Sequence, residues 1–302
     1  MKTKVCAVGG INIDLVTETN KVPKIGETVI GTSFATYPGG KGGNQAVAAS
    51  RLGADTFIVG CLGSDLFGKE LIDGLTKNGV NTDHVKILEG ETTGIATITV
   101  CEGDNSIVLC KGANNRNSVE TVSECIDEII NSDVILLQNE IPMEVNRYIM
   151  EKAENKAKII YNPAPYMPVP KEILKYLTVL VVNEHECSDI SGKRVETLEE
   201  AKEAALEIHS WGVKNVIITM GKMGAVYNDG DTVHEIKARK VKAVDTTAAG
   251  DTFCGAIAVC LSQLPISKAV QYANLAASIT VTKKGAQTSI PSQEEVRKLM
   301  DN

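Results

Sequence analysis

From residue 118 onward the chain alternates two patterns, and no other feature narrows its fold so far. Continuous apolar runs such as Val134-Ile135-Leu136-Leu137 and Val179-Leu180-Val181-Val182 are what strands become when both faces of a sheet are covered. Between these runs lie stretches with helical spacing. The pattern predicts helix 118–131, strand 133–138, helix 143–155, strand 158–161, helix 171–177, strand 178–182, helix 197–211 and strand 214–219. Thr197 and Glu200 form a capping box at the start of the fourth of these helices. Such alternation implies a doubly wound α/β fold, a mostly parallel sheet flanked by helices, with ligands bound beyond the carboxyl ends of its strands. Residues 5–8 and 56–61 add two more core strands, and 65–78 a helix ending at Gly79. Nothing resembling a linker or an internal repeat interrupts the 302 residues, so 1–302 reads as a single domain.

Two segments depart from the alternation. Residues 15–37 mix polar and β-branched positions (Thr28, Val29, Ile30, Thr32, Phe34), and 93–100 alternates apolar with polar residues. Ser106 to Cys110 can return along that second strand across Glu102-Gly103-Asp104-Asn105. These predict a small antiparallel β-sheet lid, inserted from about 15–37 and 93–110. Its apolar set, Val29, Phe34, Ile95, Ile98 and Val108, needs covering. A ligand beneath the lid and a second copy of the chain against it would both do so, which predicts a homodimer through the lid sheet.

The formal net charge of −7 argues against nucleic acid or an anionic membrane as partner, while leaving room for a small anion held locally. No basic segment followed by a long apolar run opens the sequence, and no uncharged apolar stretch is long enough to span a bilayer. The eight cysteines, Cys6, Cys61, Cys101, Cys110, Cys125, Cys187, Cys254 and Cys260, show no C-x-x-C spacing. They read as reduced core thiols of a cytoplasmic protein. His84, His185, His209 and His234 are scattered, and His185-Glu186 lacks the second histidine of a zinc-protease helix.

The chemistry concentrates in two turns of small residues. Asp245-Thr246-Thr247-Ala248-Ala249-Gly250-Asp251 leads into Thr252-Phe253-Cys254-Gly255 and an apolar helix. A helix N-terminus with small residues offers free N–H groups and a positive dipole end to an anion. Asp251 is out of place in such a hole, unless it takes a proton from a hydroxyl attacking a phosphate; it is equally a helix cap. Pro38-Gly39-Gly40-Lys41-Gly42-Gly43-Asn44-Gln45 opens a second helix, where Lys41 and Asn44 supply donors and the glycines permit either close ligand approach or tight packing. It is neither a Walker A loop nor a G-x-G-x-x-G turn. Asn12 and Asp14 share one face of an extended segment. Asn139, Glu140, Asn162, Asn183-Glu184-His185-Glu186 and Thr219 to Gly224 stand at strand ends. A helix-like run over 266–284 carries Asn274, a loop follows at 285–291, and Ser292 with Glu295 caps a last short helix.

Both turns, in this order and at this separation, resemble the two signatures of the ribokinase-like (pfkB-type) sugar kinases. Asn183-Glu184-His185-Glu186 matches that family's N-x-x-E element, and Gly285-Ala286-Gln287-Thr288-Ser289 is similar to its tail. The resemblance covers essentially the whole chain. It implies that Asn12, Asp14, Gly40, Lys41, Asn44 and Glu140 hold a sugar, and that Asp251 is the base beside an anion hole of Ala248, Ala249 and Gly250. It further implies that Asn183 and Glu186 serve ATP phosphates and the water shell of Mg²⁺, and that Thr219, Gly221, Gly224 and Asn274 line the nucleotide. A monovalent cation, K⁺, is implied between Asp245 and Thr247 on one loop and Thr280, Lys283, Gly285 and Ser289 on the other, partly through carbonyls. The form of the first loop points to D-ribose, phosphorylated at its 5-hydroxyl by ATP. The alternatives are 2-deoxyribose or another furanose or nucleoside and, from a different class, a non-catalytic sugar sensor on the same fold. Two departures stand out: Gly43 where the family often has Ala, and Cys254 where Asn is frequent.

Overall fold

The computed structural model describes residues 2–102 and 104–300. Strand β1 (Lys4–Val8) ends at Gly9-Gly10 and feeds β2 (Asn12–Thr19), β3 (Gly31–Gly39) and helix α1 (Lys41–Arg51). Then come β4 (Asp55–Gly63), α2 (Leu66–Lys77), β5 (Val80–Leu88), β6 (Gly94–Cys101) and β7 (Asp104–Cys110). The alternating part holds α3 (Val119–Ser123), α4 (Ile126–Ile130), β8 (Val134–Gln138), α5 (Met143–Ala153), β9 (Lys158–Asn162), β10 (Val179–Asn183), α6 (Glu184–Ser191), α7 (Leu198–Ser210) and β11 (Asn215–Thr219). It closes with β12 (Ala225–Asn228), β13 (Val233–Ile236), α8 (Ala249–Leu261), α9 (Ile266–Thr280) and α10 (Gln293–Met300).

Nine strands make the main sheet, in the order β13-β12-β11-β10-β9-β8-β1-β4-β5. Its members are parallel except β12 and β13, which extend one edge antiparallel. The apolar runs are continuous because successive residues feed opposite layers. Val5 and Ala7 of β1 pack with the small-residue helices α1 and α8, while Cys6 and Val8 pack on the α5 side. Sequence order reverses between β1 and β8, and the crevice beyond the ends of these two strands is the topological switch point.

Several expected elements change form. Helix 118–131 is two short helices, broken at Glu124-Cys125. There the Ser123 hydroxyl donates back to the Glu120 carbonyl (2.7 Å), a local bond that competes with the helical ladder. Residues Lys171–Tyr176 form a 3-10 helix. The run over 266–284 stops being helical at Thr280, because the Val281 carbonyl accepts from the N–H groups of Val244 and Asp245. Strands β12 and β13, four residues each, are too short to show a period and were not anticipated. Both capping boxes hold, Thr197 with Glu200 and Ser292 with Glu295. All eight cysteines are free, although Cys110 is exposed and Cys101 half-buried rather than in the core. No helix among the described residues is long and apolar enough to cross a membrane.

The small sheet runs β3-β2-β6-β7. It is antiparallel within each hairpin, and the two insertions meet along a parallel β2–β6 seam. Thr28, Val29 and Ile30 precede β3 in an exposed connection turned at Gly26. Asp104 and Asn105, expected in the turn, already pair with Cys101 and Val100; Gly103 lies outside the described residues. The expected apolar set is split by register. Phe34, Ile95 and Val108 share the face of Leu15, whereas Ile98 lies with Val16 and Ile107 on the face that carries Asp14.

Candidate active site

Packing of α1 on α8 brings the two turns together. A Cβ on Gly255 would lie 2.5 Å from the Ala48 Cβ and 2.9 Å from the Ala49 amide nitrogen, so only glycine lets the helices approach this far. The N-terminus of α1 thereby delivers Lys41, Asn44 and Gln45 to Asp251 in the first turn of α8. Asp251, 6% exposed, accepts from Asn44 Nδ2 (2.9 Å) on one carboxylate oxygen and from Gln45 Nε2 (3.1 Å) on the other. Its bonds therefore go across to α1, which argues against a simple cap. Asn44 Oδ1 is buried without a hydrogen-bond partner, an acceptor that a ligand hydroxyl would satisfy.

The roots of the lid hairpins supply the next group. Asn12 pairs with Gly39 on one side and Gly94 on the other. Asn114, which sequence reasoning missed, donates to Asn12 Oδ1 (2.7 Å) and brackets the Ile11 backbone. With its oxygen occupied, the Asn12 amide turns its NH₂ to Glu140 Oε2 (3.3 Å), which also accepts from the Lys41 backbone N–H (2.8 Å). Glu140 fits beside β1 because Gly10 has no Cβ, which would lie 2.3 Å from Oε2. Asn12, Asp14, Gly40, Lys41, Asn44, Glu140 and Asp251 thus surround one spot under the lid.

The charges there are crowded. Burial, then the charges of Glu140 and Asp251, push the Asp14 carboxyl up to about 7 against the pull of Lys41. Burial also raises Glu140, again opposed by Lys41. For Lys41 burial acts downward, but Asp251, Glu140 and Glu186 outweigh it and hold the ammonium above its ordinary value. The site is a cluster of carboxylates around one cation, and hydroxyls can donate to its oxygens. Cys254, one turn below Asp251, is fully buried; burial and the Asp251 charge hold its thiol well above the usual range, so it is an unreactive packing group.

At the head of α8, Ala248 adopts a left-handed conformation (φ 59°), a strained state for a residue with a Cβ. Of the N–H groups expected to meet an anion, that of Ala249 already donates to the Thr246 carbonyl (3.2 Å). Those of Gly250 and Asp251 have no backbone partner among the described residues. Gly250 is exposed, its φ is not positive, and an added Cβ would meet nothing within 4 Å. The fold itself therefore does not require glycine at this position.

Along the neighbouring strand ends, Asn183 and Thr219 are opposed in the β10–β11 register. Asn183 and Glu186 form a capping box on α6, so the N-x-x-E element has a structural task as well. One Glu186 oxygen accepts from the Asn183 N–H (3.0 Å), which leaves the other for a ligand. Gly221 is exposed. Gly224 is glycine for a local reason, since a Cβ would lie 1.9 Å from the Ile236 carbonyl oxygen. Asn274 donates to the Lys237 carbonyl (2.9 Å) and so fastens α9 to the loop after β13.

The loops expected to hold a monovalent cation are tied together. Asp245 accepts from the Thr247 N–H (2.9 Å) and hydroxyl (2.6 Å), and across the gap from the Gly285 N–H (2.9 Å). Partial burial works against that carboxylate, but these bonds hold its pKa below the ordinary value. Thr280 turns its hydroxyl to Thr252, Ser289 donates to the Ala286 carbonyl, and the Lys283 ammonium pairs with Glu295. These three side chains are thus engaged elsewhere. A cation would be left Asp245 and their backbone carbonyls, of which that of Thr280 already accepts from the Lys283 N–H (3.1 Å); an ammonium cannot ligate it. Among the described residues no cluster of three or more His, Cys, Asp or Glu could hold a metal by itself. A concavity of about 700 Å³ lined by Thr3, Val259, Gln263, Tyr272 and Arg297 lies toward the far end of α8, away from these groups.

A family model described as pfkB family carbohydrate kinase matches residues 2–293. The ribokinase of Lactococcus lactis is 40% identical over 298 residues, covering 98% of this chain and 96% of the relative. The ribokinase of Bacillus subtilis is 41% identical over 298 residues, covering 98% and 99%. The structure of an Arabidopsis thaliana ribokinase complexed with ribose and ATP superposes with a TM-score of 0.91 at 32% identity, covering 100% of this chain and 99% of that one.

Proposed function

Because the chain belongs to the pfkB family of carbohydrate kinases, we infer that it transfers the γ-phosphoryl group of ATP to the 5-hydroxyl of D-ribose, giving ribose 5-phosphate and ADP. The observation that carries this reading is the Asp251 carboxylate, held by Asn44 of the other turn at a helix head where the Gly250 and Asp251 N–H groups have no backbone partner among the described residues. Asn12, Asp14, Asn44 and Glu140 present acceptors and donors to the sugar hydroxyls, with Lys41 as the balancing cation and Gly40 beside them. Asp251 accepts the proton of the attacking hydroxyl, and the N–H groups of Gly250 and Asp251 face the charge that builds on the transferring oxygens. The open space above Gly250 is where those oxygens fit. Asn183, Glu186, Thr219 and Gly221 stand along the strand ends where the nucleotide phosphates would lie, with Gly224 and Asn274 shaping the wall behind.

Glu186, with a free oxygen and no cluster of three metal-ligating side chains among the described residues, suits Mg²⁺ that keeps its waters and its phosphate ligands. Glu186 would hold such an ion through its water shell, and the ion would supply positive charge beside the phosphates. The two loops joined by Asp245 and Gly285 suit K⁺, whose binding would stiffen the turn that ends in Ala248. Phe34 and Val108 on one face of the lid are 64% and 66% exposed, and a second copy packed against that face would cover them. The free thiols suit a reducing compartment such as the cytoplasm. Coupled ADP release measured with ribose, deoxyribose, fructose and adenosine tests the reading. Ribose should give the highest kcat/KM, and no turnover with any of the four would overturn it.

A further inference from the structure

A chain of buried amides runs from the core sheet to the base. Gln138, the last residue of β8, is fully buried and donates from Nε2 to Gln45 Oε1 (2.8 Å). Its backbone is fixed in turn by Asn146, whose side chain donates to the Gln138 carbonyl (2.7 Å). Gln45, also fully buried, then has its oxygen engaged and its NH₂ directed at Asp251 Oδ1 (3.1 Å) and Asn162 Oδ1 (3.4 Å). Asn162 donates to the Val181 carbonyl (3.0 Å), so its oxygen is the end that faces Gln45. Every amide in the set is therefore polarised one way. A flipped Gln45 would put its carbonyl against two other oxygens and its NH₂ against the NH₂ of Gln138. Gln138 reaches Asp251 only through Gln45.

The geometry points to Gln45, oriented by Gln138, as a positioning residue that fixes the plane of the Asp251 carboxylate for proton transfer to it. This rests on Asp251 acting as the base. Asn44 engages one oxygen from the sugar side, and Gln45 engages the other from the protein interior. With both in place the carboxylate cannot rotate, and a lone pair stays directed at the attacking hydroxyl. Gln45, fully buried, presents no surface to a sugar and acts through Asp251. Gln138 acts one step further back, through Gln45.

The test is a double-mutant cycle on kcat with ribose and ATP, using Gln45→Met and Gln138→Met, each in the wild-type and Asp251→Asn backgrounds. Methionine keeps the volume and removes the amide. Gln45→Met should lower kcat about 10- to 100-fold, the worth of one hydrogen bond to a charged group, with the ribose KM little changed. Gln138→Met should lower it several-fold. In the Asp251→Asn background neither should lower it further, because no base remains to be positioned. Equal losses in both backgrounds would show a merely structural role and overturn the proposal. So would wild-type kcat in Gln45→Met, or a loss confined to KM. Should Gln45→Met fail to fold, Gln138→Met leaves Gln45 in place and carries the same comparison. If Asp251→Asn alone turns over like wild type, the base reading itself has failed; a slow Asp251→Asn beside an unaffected Gln45→Met sinks only the amide relay.

Discussion

Replacing Gly250 by alanine separates what the fold requires from what the ligand requires. The residue sits in the first turn of α8 with ordinary φ, exposed, and no atom lies within 4 Å of an added Cβ. The folded state should not object, and the unfolded chain loses freedom worth about 0.4–1 kcal/mol. At about 2.1 cal/mol/K per residue the unfolding entropy of a chain this long converts that gain into roughly 1 °C of Tm. On the proposed mechanism the same methyl would take up space beside the Gly250 and Asp251 N–H groups into which the phosphoryl oxygens come. Losing one such donor costs about 10²–10³ in kcat. Thermal unfolding and coupled ADP release on the same preparation read the two effects separately. The expected result is an unchanged or slightly raised Tm with kcat down by that factor. A variant that keeps kcat within a few-fold of wild type would refute the anion hole. One that loses several degrees of Tm would refute the account of the open space.

Asp14→Asn should raise Tm at pH 8 but not near pH 4. The carboxyl is raised to about 7, so its proton favours the folded state and stability falls as pH climbs from the unfolded carboxylate value toward 7; equal Tm differences at both pH values would refute this. Gly43→Ala should leave kcat unchanged and shift stability by no more than about 1 kcal/mol, because helix propensity gains what a 3.2 Å approach to Gln287 Nε2 costs; a denaturant midpoint well below wild type would contradict it. Turnover should be higher in K⁺ than in tetramethylammonium buffer, and Asp245→Ala should abolish the difference; identical rates in both salts for the wild type would remove the cation from the mechanism. Sedimentation at micromolar concentration should give twice the 32.2 kDa chain mass, shifted toward monomer by Val108→Glu; a clean wild-type monomer would refute lid-on-lid association.

Local pattern determined a good deal by itself. Burial on both faces leaves continuous apolar runs in β8 and β10, and a helix start leaves Thr197 with Glu200, so element types in the alternating half were legible without any partner in view. The turn at Gly39 to Gly43 was legible too, because a backbone that must approach another backbone or a ligand excludes side chains over consecutive residues. What the sequence could not carry is which distant groups meet. Gln45 and Asp251 are 206 positions apart and Gln45 and Gln138 are 93, and neither glutamine differs from an ordinary polar residue until α1 packs on α8 and β8 lies beside β1. The same holds for Asn114 behind Asn12, for the parallel β2–β6 seam, and for the register that splits the lid's apolar residues between two faces. Periodicity records how one segment is buried, whereas strand order, register and hydrogen-bond direction depend on pairs of segments. Only the tertiary structure fixes those pairs.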